Sequence, residues 1–140
     1  MTDNDLKQIL KTAKTIASVG LSGNQEKESY WIAEYLQSKG YRIIPVNPSA
    51  QEILGQKCYP DLASIPDPVD VVQIFRKPED TPPIAEEAVK IKAKVFWMQP
   101  GTSHQKAANI AQAGGLKVVL GHCMRIEHRR LMGGVLSFLG

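Results

Sequence analysis

Short apolar runs alternate with amphipathic segments along this chain, and this alternation restricts its fold more than any other feature. Runs such as Ile16–Val19 and Val95–Met98 are brief and bulky, which is typical of buried strands. Between such runs apolar residues recur at helical spacing, as in Leu6, Ile9 and Leu10. Strands that alternate with helices over short connections need right-handed crossovers, which build a parallel sheet covered on both faces. The sequence therefore predicts a three-layer, doubly wound α/β fold with a parallel sheet of five to six strands.

The boundaries of these elements follow from caps, glycines and prolines. The predicted strands are residues 16–19, 42–46, 69–75, 95–98 and 117–120, and the predicted helices run through 6–13, 31–36, 81–91, 103–113 and 124–131. A short strand at 56–59 and a single helical turn at 61–65 are also expected. Pro45 suits a central strand poorly, so we expect it near the end of its strand or at an irregularity.

Length and composition limit the possible functions. The 140 residues suffice for one domain with a core and are too few for two ordinary domains, so residues 1–140 are expected to form a single domain. Hydrophobic residues at 43% and charged residues at 22% exclude a disordered, fibrous or disulfide-rich protein. The formal net charge of +3 is far below that of a dedicated nucleic-acid binder and suits a small anionic ligand.

The sequence indicates a cytoplasmic protein. Cys58 and Cys123 are too few for a disulfide framework, and the first residues, MTDNDLKQ, lack the basic and apolar parts of a secretory signal. The apolar residues 135–139 are far fewer than the ~20 needed to cross a bilayer. We therefore expect reduced thiols and no membrane partner.

Ligands of doubly wound sheets bind beyond the carboxyl ends of the strands, where the strand order reverses. The first segment at such an end holds Gly20, Ser22, Gly23, Asn24 and Gln25. Glycines allow a sharp turn that leaves backbone N–H groups facing an anion, so this is a candidate phosphate loop. It is not a G-x-G-x-x-G motif and has no Walker Lys-Ser/Thr pair, so a plain glycine turn is an equal alternative.

The second segment reads Val46-Asn47-Pro48-Ser49. An NAD site places a carboxylate here, roughly 20 residues beyond the glycine loop, to hold the ribose hydroxyls. No carboxylate is present, which disfavours NAD, and Asn47 and Ser49 suit a neutral or phosphorylated ribose. Asn47 and Pro48 are also a typical start of a turn.

Cations follow the third strand end, where Phe75, Arg76 and Lys77 are consecutive. An arginine can bind a phosphate with two parallel hydrogen bonds or stack on a base, and Phe75 could support an adenine or a pantetheine arm. The alternative is a solvated basic turn with a core phenylalanine. Together with the other segments, these residues indicate a crevice of nucleotide size.

The fourth segment, residues 99–103, ends a strand and opens a helix. Gln99 and Gly101 lie where free amides at a helix start would meet a pyrophosphate. The alternative is an ordinary helix cap by Ser103.

No catalytic or metal-binding constellation is evident. The histidines are scattered, and neither a metal-spaced Cys/His cluster nor a G-x-S-x-G elbow occurs. Cys123 follows His122 and is either an activated thiol or, more commonly, a buried structural cysteine. The charges of Glu127, His128, Arg129 and Arg130 are typical of a solvated helix face or of local ion pairs. The sequence therefore predicts binding without catalysis and no metal.

Several stretches resemble, in order, one known family. They are residues 19–22, 40–48, 71–76, 95–101 and 123–131. The chain resembles the stand-alone CoA-binding domains, small Rossmann-like proteins similar to the amino-terminal domain of the succinyl-CoA synthetase α subunit. The resemblance implies a Rossmann-like fold that holds CoA by its ADP portion. It places the first loop and residues 99–101 near phosphates, Asn47 and Pro48 near the nucleotide, and residues 74–76 along the ligand.

The chain departs from the synthetase relatives in one respect that bears on the ligand. They carry lysines where this chain has Ser49 and Ala50, so the counter-charge for the phosphates must come from Arg42, Arg76 or Lys77. The phosphohistidine domain and the ATP-grasp partner of the synthetase do not fit within 140 residues, so we expect no synthetase activity from this chain alone.

Three hypotheses follow. The first is a non-catalytic module that binds CoA or an acyl-CoA. The second is an enzyme or enzyme subunit that uses NADP or CoA, either by acyl transfer through Cys123 or as an acyl-CoA synthetase completed by a partner. The third, compatible with both, is a protein-interaction role such as dimerisation through residues 135–139.

Overall fold

The structure is a computed structural model and describes residues 1–133. Its strands are β1 (Thr15–Val19), β2 (Arg42–Val46), β3 (Glu52–Ile53), β4 (Gln56–Lys57), β5 (Val71–Ile74), β6 (Val95–Met98) and β7 (Lys117–Leu120). Its helices are α1 (Asp3–Thr12), α2 (Glu28–Ser38), α3 (Thr81–Lys90), α4 (Gln105–Ala113) and α5 (Met124–His128). Five strands form one parallel sheet in the order β2-β1-β5-β6-β7, and β3 and β4 form a separate antiparallel pair. The predicted α/β fold with its five-stranded parallel sheet is confirmed.

The central strands β1, β5 and β6 bury both faces, which makes three layers. Because successive side chains of a strand point to opposite faces, Ile16 packs with α1, α2 and α5, whereas Ala17 packs with α3 and α4. Within β1 only Thr15 is partly exposed, and all four residues of β5 and of β6 are buried. The continuous apolar runs in the sequence therefore reflect a sheet with no solvent-facing side.

The strand order reverses between β1 and β5. From β1 the chain passes through α2 to β2 on one side, and from β5 it passes through α3 to β6 on the other. The connections that leave the two strands therefore diverge onto opposite faces of the sheet and open a crevice between their carboxyl ends.

Pro45 lies within β2, one residue before its end, and the strand is at the edge of the sheet. The carbonyl of Pro45 accepts a hydrogen bond from the backbone N–H of Tyr59 at 3.0 Å, on the side away from β1. The N–H that proline lacks would point to the same side, because the two backbone groups of one strand residue share a direction. The proline therefore costs no hydrogen bond to β1.

Several local predictions differ from the structure. The strand expected at 56–59 is shorter, and it pairs with the unpredicted β3 in a hairpin whose turn residues Leu54 and Gly55 have φ of 54° and 73°. The expected helical turn at 61–65 is only a hydrogen-bonded turn, from Ile65 N–H to the Leu62 carbonyl at 3.1 Å. After α5 the chain continues as a π-helical turn, Arg129–Gly133.

Among residues 1–133, no helix combines the length and apolar character that a bilayer crossing requires. The apolar segment 135–139, for which we predicted a role in dimerisation, lies outside the described residues.

Candidate functional site

Gly20 packs directly against the chain that leaves β5. Its φ is +88°, and its N–H donates to the Val46 carbonyl at 2.9 Å. A Cβ on residue 20 would lie 2.8 Å from Cδ of Arg76 and 3.1 Å from the carbonyl oxygen of Phe75. The loop after β1 therefore meets the loop after β5 at the point where the strand order reverses.

The first loop is held by its own polar side chains. Ser22 Oγ accepts from the Asn24 N–H at 3.0 Å, and Asn24 Oδ1 accepts from the Glu26 N–H at 3.0 Å. The N–H of Ser22 donates to Ser29 Oγ at 3.1 Å, which ties the loop to the first turn of α2. The side chains of Ser22 and Asn24 thus shape the loop rather than point freely at a ligand.

Two backbone amides of this loop stay available to an anion. Within residues 1–133, neither Gly23 N–H nor Gln25 N–H has a hydrogen-bond partner. Gly23 and Gln25 are both exposed. A side chain at residue 23 would lie 3.7 Å from Ile53, so the β3–β4 hairpin borders this part of the loop.

Asn47 joins the ends of β1 and β2. Its side-chain amide donates to the Leu21 carbonyl at 3.0 Å, and its Oδ1 accepts from the Ser49 N–H at 2.8 Å. Both predicted properties, a turn start and a position beside the glycine loop, are combined in this one residue. Pro48 follows on the surface.

A cavity of about 350 Å³ opens on the α3 side of the crevice. Val19, Val46 and Ile84 give it an apolar wall, and Pro48 and Arg76 lie at its border. Its other charged residues are all acidic: Asp61, Glu79, Asp80 and Glu87.

A second cavity, of about 300 Å³, opens on the α2 side. Phe75 and Ile32 supply its apolar surface. Lys27 lies at the start of α2 and has no ion pair within residues 1–133. Glu28, Ser29 and Thr102 are further polar lining residues. The α3-side cavity is therefore bordered mainly by carboxylates, whereas the α2-side cavity has one cation and one carboxylate.

Gln99 lines the α2-side cavity but is 3% exposed. Its Oε1 accepts from the Met124 N–H at 2.9 Å and from Gln73 Nε2 at 3.5 Å. The oxygen of the same Gln73 amide, Oε1, accepts from Ser18 Oγ at 2.8 Å. These buried polar side chains link the ends of β1, β5 and β6 to the start of α5. Gly101 is exposed with φ +86°.

The fourth segment differs from prediction at its helix. The expected cap, Ser103, is not used, because α4 begins at Gln105 and its cap is His104. The imidazole of His104 accepts from the Ala107 N–H at 3.4 Å. One amide at this helix start is thus already bonded within the protein.

The three candidate cations have different positions. Arg76 pairs with Asp80 at 3.1 Å, and Lys77 is exposed with no ion pair within residues 1–133. Arg42 is the first residue of β2 and pairs with Asp67 at 2.8 Å, at the amino-terminal ends of the strands. The prediction that Arg42 supplies a counter-charge at the carboxyl ends is therefore wrong, because Arg42 begins its strand and lies roughly 15 Å from those ends.

The α5 segment is less solvated than its charges indicate. Glu127 and His128 are 8% and 3% exposed, which overturns the solvated face expected for them. Glu127 pairs with Arg130 at 2.6 Å, and Arg130 also binds Asp3 of α1. Cys123 is buried in the apolar cluster on this side of the sheet. Among residues 1–133, no three His, Cys, Asp or Glu side chains are grouped to hold a metal ion.

Sequence reasoning did not single out Lys27, although it ends the segment 20–27 that follows β1, and it missed Asp80 and Ile53. Asp80 and Ile53 contact the crevice or its loops, yet neither follows a strand of the main sheet directly. The i, i+4 spacing of Arg76 and Asp80 is the one local signal, since it is the spacing of an ion pair on a helical turn.

Comparison with known proteins assigns the chain to a family. A family model described as a CoA binding domain matches residues 14–129, most of the chain. The chain belongs to the CoA-binding domain family. The resemblance drawn from the sequence is thereby confirmed, and the Rossmann-like α/β fold agrees with it.

Stand-alone proteins are among the relatives of this CoA-binding domain. The uncharacterized protein YneT of Bacillus subtilis is 38% identical over 124 residues, which cover 89% of this chain and 92% of YneT. A hypothetical protein from Pyrococcus horikoshii OT3 superposes with a TM-score of 0.93 at 43% identity, covering 95% of this chain and 94% of that one.

The family also occurs within a larger enzyme. The ADP-forming acetate–CoA ligase of Methanocaldococcus jannaschii is 29% identical over 137 residues, which cover 92% of this chain. The match spans only 19% of the ligase. This CoA-binding domain therefore corresponds to one part of that enzyme.

Proposed function

We propose that the chain binds CoA or an acyl-CoA through its ADP moiety, as a binding module without catalysis of its own. The observation that carries this proposal is the contact of Gly20 with Arg76, where strand order reverses and a cavity lies on each side. Ligands of doubly wound folds bind at such a point. An extended ligand with a base, phosphates and an arm suits a crevice that continues over both faces.

The distribution of charge assigns the parts of the ligand. Four carboxylates around the α3-side cavity repel phosphates, and their oxygens suit the amino group of adenine. The apolar wall there suits the base itself, beside Pro48. The free amides of Gly23 and Gln25 and the cation of Lys27 lie toward α2, and this is where we place the diphosphate.

The pantetheine arm then follows the α2-side cavity. Phe75 and Ile32 offer apolar surface to its methylene and dimethyl groups, and Thr102 offers a polar contact for its amides. Gln99 forms part of the wall, with Gly101 in the turn that follows. Lys77 and Arg76 are the cations that we assign to the ribose phosphate.

The absence of catalysis is part of this proposal. Cys123 is a core residue, so the acyl-transfer alternative lacks an exposed nucleophile in this protein. An enzyme subunit completed by a partner is the remaining alternative. The cytoplasmic location and a homodimer through residues 135–139 stay predictions.

The test is calorimetric titration of the purified chain with CoA, dephospho-CoA and NAD. We expect CoA to bind most tightly, dephospho-CoA more weakly because it lacks the ribose phosphate, and NAD weakest because β2 ends without a ribose-binding carboxylate. Binding of NAD as tight as that of CoA would contradict the proposal. Turnover of an acyl-CoA by the chain alone would contradict its non-catalytic part.

A further inference from the structure

A smaller cavity lies at the amino-terminal ends of the strands, away from the proposed CoA crevice. Its volume is about 220 Å³; it is open to solvent and is bordered by the ends of α1 and α2, by the segment that enters β2 and by α5. Its charged lining residues other than His128 are Lys11, Lys14 and Lys39, and none of its lining residues is acidic. A cleft lined by one sign of charge attracts ions of the opposite sign.

A buried imidazole forms part of its wall. His128 is 3% exposed and lines the cavity. Its Nδ1 is 3.0 Å from the hydroxyl of Tyr35, and no other hydrogen bond to the ring is found within residues 1–133. Because no fully buried side-chain nitrogen or oxygen in this part of the chain lacks a partner, Nε2 is accessible from the cavity. The hydroxyl of Tyr41 donates to the Leu10 carbonyl, so it is not the partner of that nitrogen. Nε2 is therefore the ring atom that a ligand in the cavity would contact.

Helix ends explain only part of this arrangement. Lys11 is in the last turn of α1 and Lys39 follows α2, and cations at such places complement the helix dipole. This does not account for Lys14, which enters β1, or for the unpartnered nitrogen of His128. Within residues 1–133, none of the three lysines has an ion pair.

We propose that this cavity binds a small phosphate-bearing anion, either inorganic phosphate or a small phosphate monoester. Three ammonium groups and an imidazole N–H match the two charges and several acceptor oxygens of a phosphate better than the single charge of a carboxylate. The volume lies below the 300–1,000 Å³ typical of sites for drug-sized ligands, which limits the ligand to a small one. This site does not depend on the proposed CoA site, which is at the other edge.

The probe is inorganic phosphate, titrated into the full chain at about pH 8 and at constant ionic strength, with CoA absent. The signal is the imidazole of His128 in nitrogen-correlated NMR spectra. We expect a saturable shift of Nε2. We also expect the pKa of His128 to rise with phosphate bound, since burial and the charge of Lys39 lower it in the free protein.

Exposed lysines can be changed without threatening the core. Lys14→Gln and Lys39→Gln should each weaken phosphate binding about 1.4- to five-fold, the range of one exposed ion pair. The matched control is Lys90→Gln, in the last turn of α3 and outside the cavity, which should leave binding unchanged. Like Lys39→Gln, it removes one positive charge near the carboxyl end of a helix.

Three outcomes overturn the proposal: no saturable shift at His128, equal weakening by Lys90→Gln, or acetate that binds as tightly as phosphate. A parallel titration with glycerol phosphate distinguishes the two sources, because tighter binding identifies the monoester and weaker binding the free ion. If the chain binds CoA but not phosphate, only the proposal for this cavity fails. If it binds phosphate but not CoA, only the proposed function fails.

Discussion

Gly20 and Arg76 occupy neighbouring space so closely that residue 20 can carry no side chain. A methyl group there would meet Cδ of Arg76 at 2.8 Å, in a backbone conformation with φ of +88°. The arginine that follows β5 is thus positioned by a glycine that follows β1. Because the two belong to strands that diverge onto opposite faces, the rim of the proposed CoA crevice depends on this contact.

Gly20→Ala should therefore reduce both stability and CoA binding. The left-handed conformation costs a non-glycine residue about 1–2 kcal/mol, and the methyl group also displaces Arg76. Gly40→Ala is the matched control, because Gly40 has φ of +98° but no atom within 4 Å of the added carbon, at the other edge of the sheet. Thermal unfolding should show destabilisation of both variants, greater in Gly20→Ala, and CoA titration should show weaker binding only in Gly20→Ala. Equal affinities would contradict the assigned role of the contact.

Asp80→Asn should strengthen binding of CoA relative to dephospho-CoA. The substitution releases Arg76 from an exposed ion pair of 3.1 Å, so the guanidinium becomes available to a phosphate. The expected gain is about two- to five-fold, because such pairs contribute up to ~1 kcal/mol. Asp67→Asn is the control, since it breaks the similar pair with Arg42 at the far edge. A gain of equal size in Asp67→Asn would show that net charge alone is responsible.

Gln99→Met should destabilise the fold by about 1–3 kcal/mol, because it leaves the buried N–H of Met124 and the amide of Gln73 without their acceptor. Gln105→Met is the control: Gln105 is exposed, and its bond to Asn109 competes with water. Denaturant unfolding measures both changes. Equal stability of the two variants would show that the hydrogen bonds of Gln99 do not stabilise the packing of α5 against β6.

His128 should make the fold less stable as pH falls. Burial and then the charge of Lys39 lower its pKa from the ordinary value of 6.5, so the unfolded chain binds the proton more readily than the folded one. Its stabilising effect is complete above about pH 6.5 and is lost as pH falls through the lower, folded value. Urea unfolding between pH 7.5 and 5 measures this slope.

Two variants assign that slope to one residue. His128→Asn removes the titrating group and should flatten the pH dependence, whatever it does to stability at pH 7.5. His104→Asn also removes a histidine, but asparagine can still cap α4, so the slope should persist. A slope that survives in His128→Asn would assign the pH dependence to other groups.

The sequence was sufficient for the elements whose patterns are local. The buried strands, the glycine turn after β1 and the turn at Asn47 depend on apolar runs and on backbone preferences that neighbouring residues display directly. The single cap of α4 shows the limit of such rules, because His104 rather than Ser103 accepts the amide. Serine is the commoner cap by chemistry, yet the chain path decides which residue is in position.

Features that depend on tertiary packing could not be predicted from spacing. Glu127 and His128 look like surface residues, but α1 and α2 cover them, and Arg130 compensates the buried carboxylate. Arg42 looked available to a phosphate until the direction of β2 placed it at the far edge. The assigned contacts of the candidate site residues with CoA stay predictions.

The proline in β2 also makes the two borders of the sheet unequal. On the β2 side, Pro45 presents no amide, and Tyr59 already occupies its carbonyl, so an incoming strand finds little to pair with. On the other border, no strand among residues 1–133 pairs with the outer side of β7. Among the described residues, the border of the sheet that presents unpaired backbone groups is therefore Lys117–Leu120.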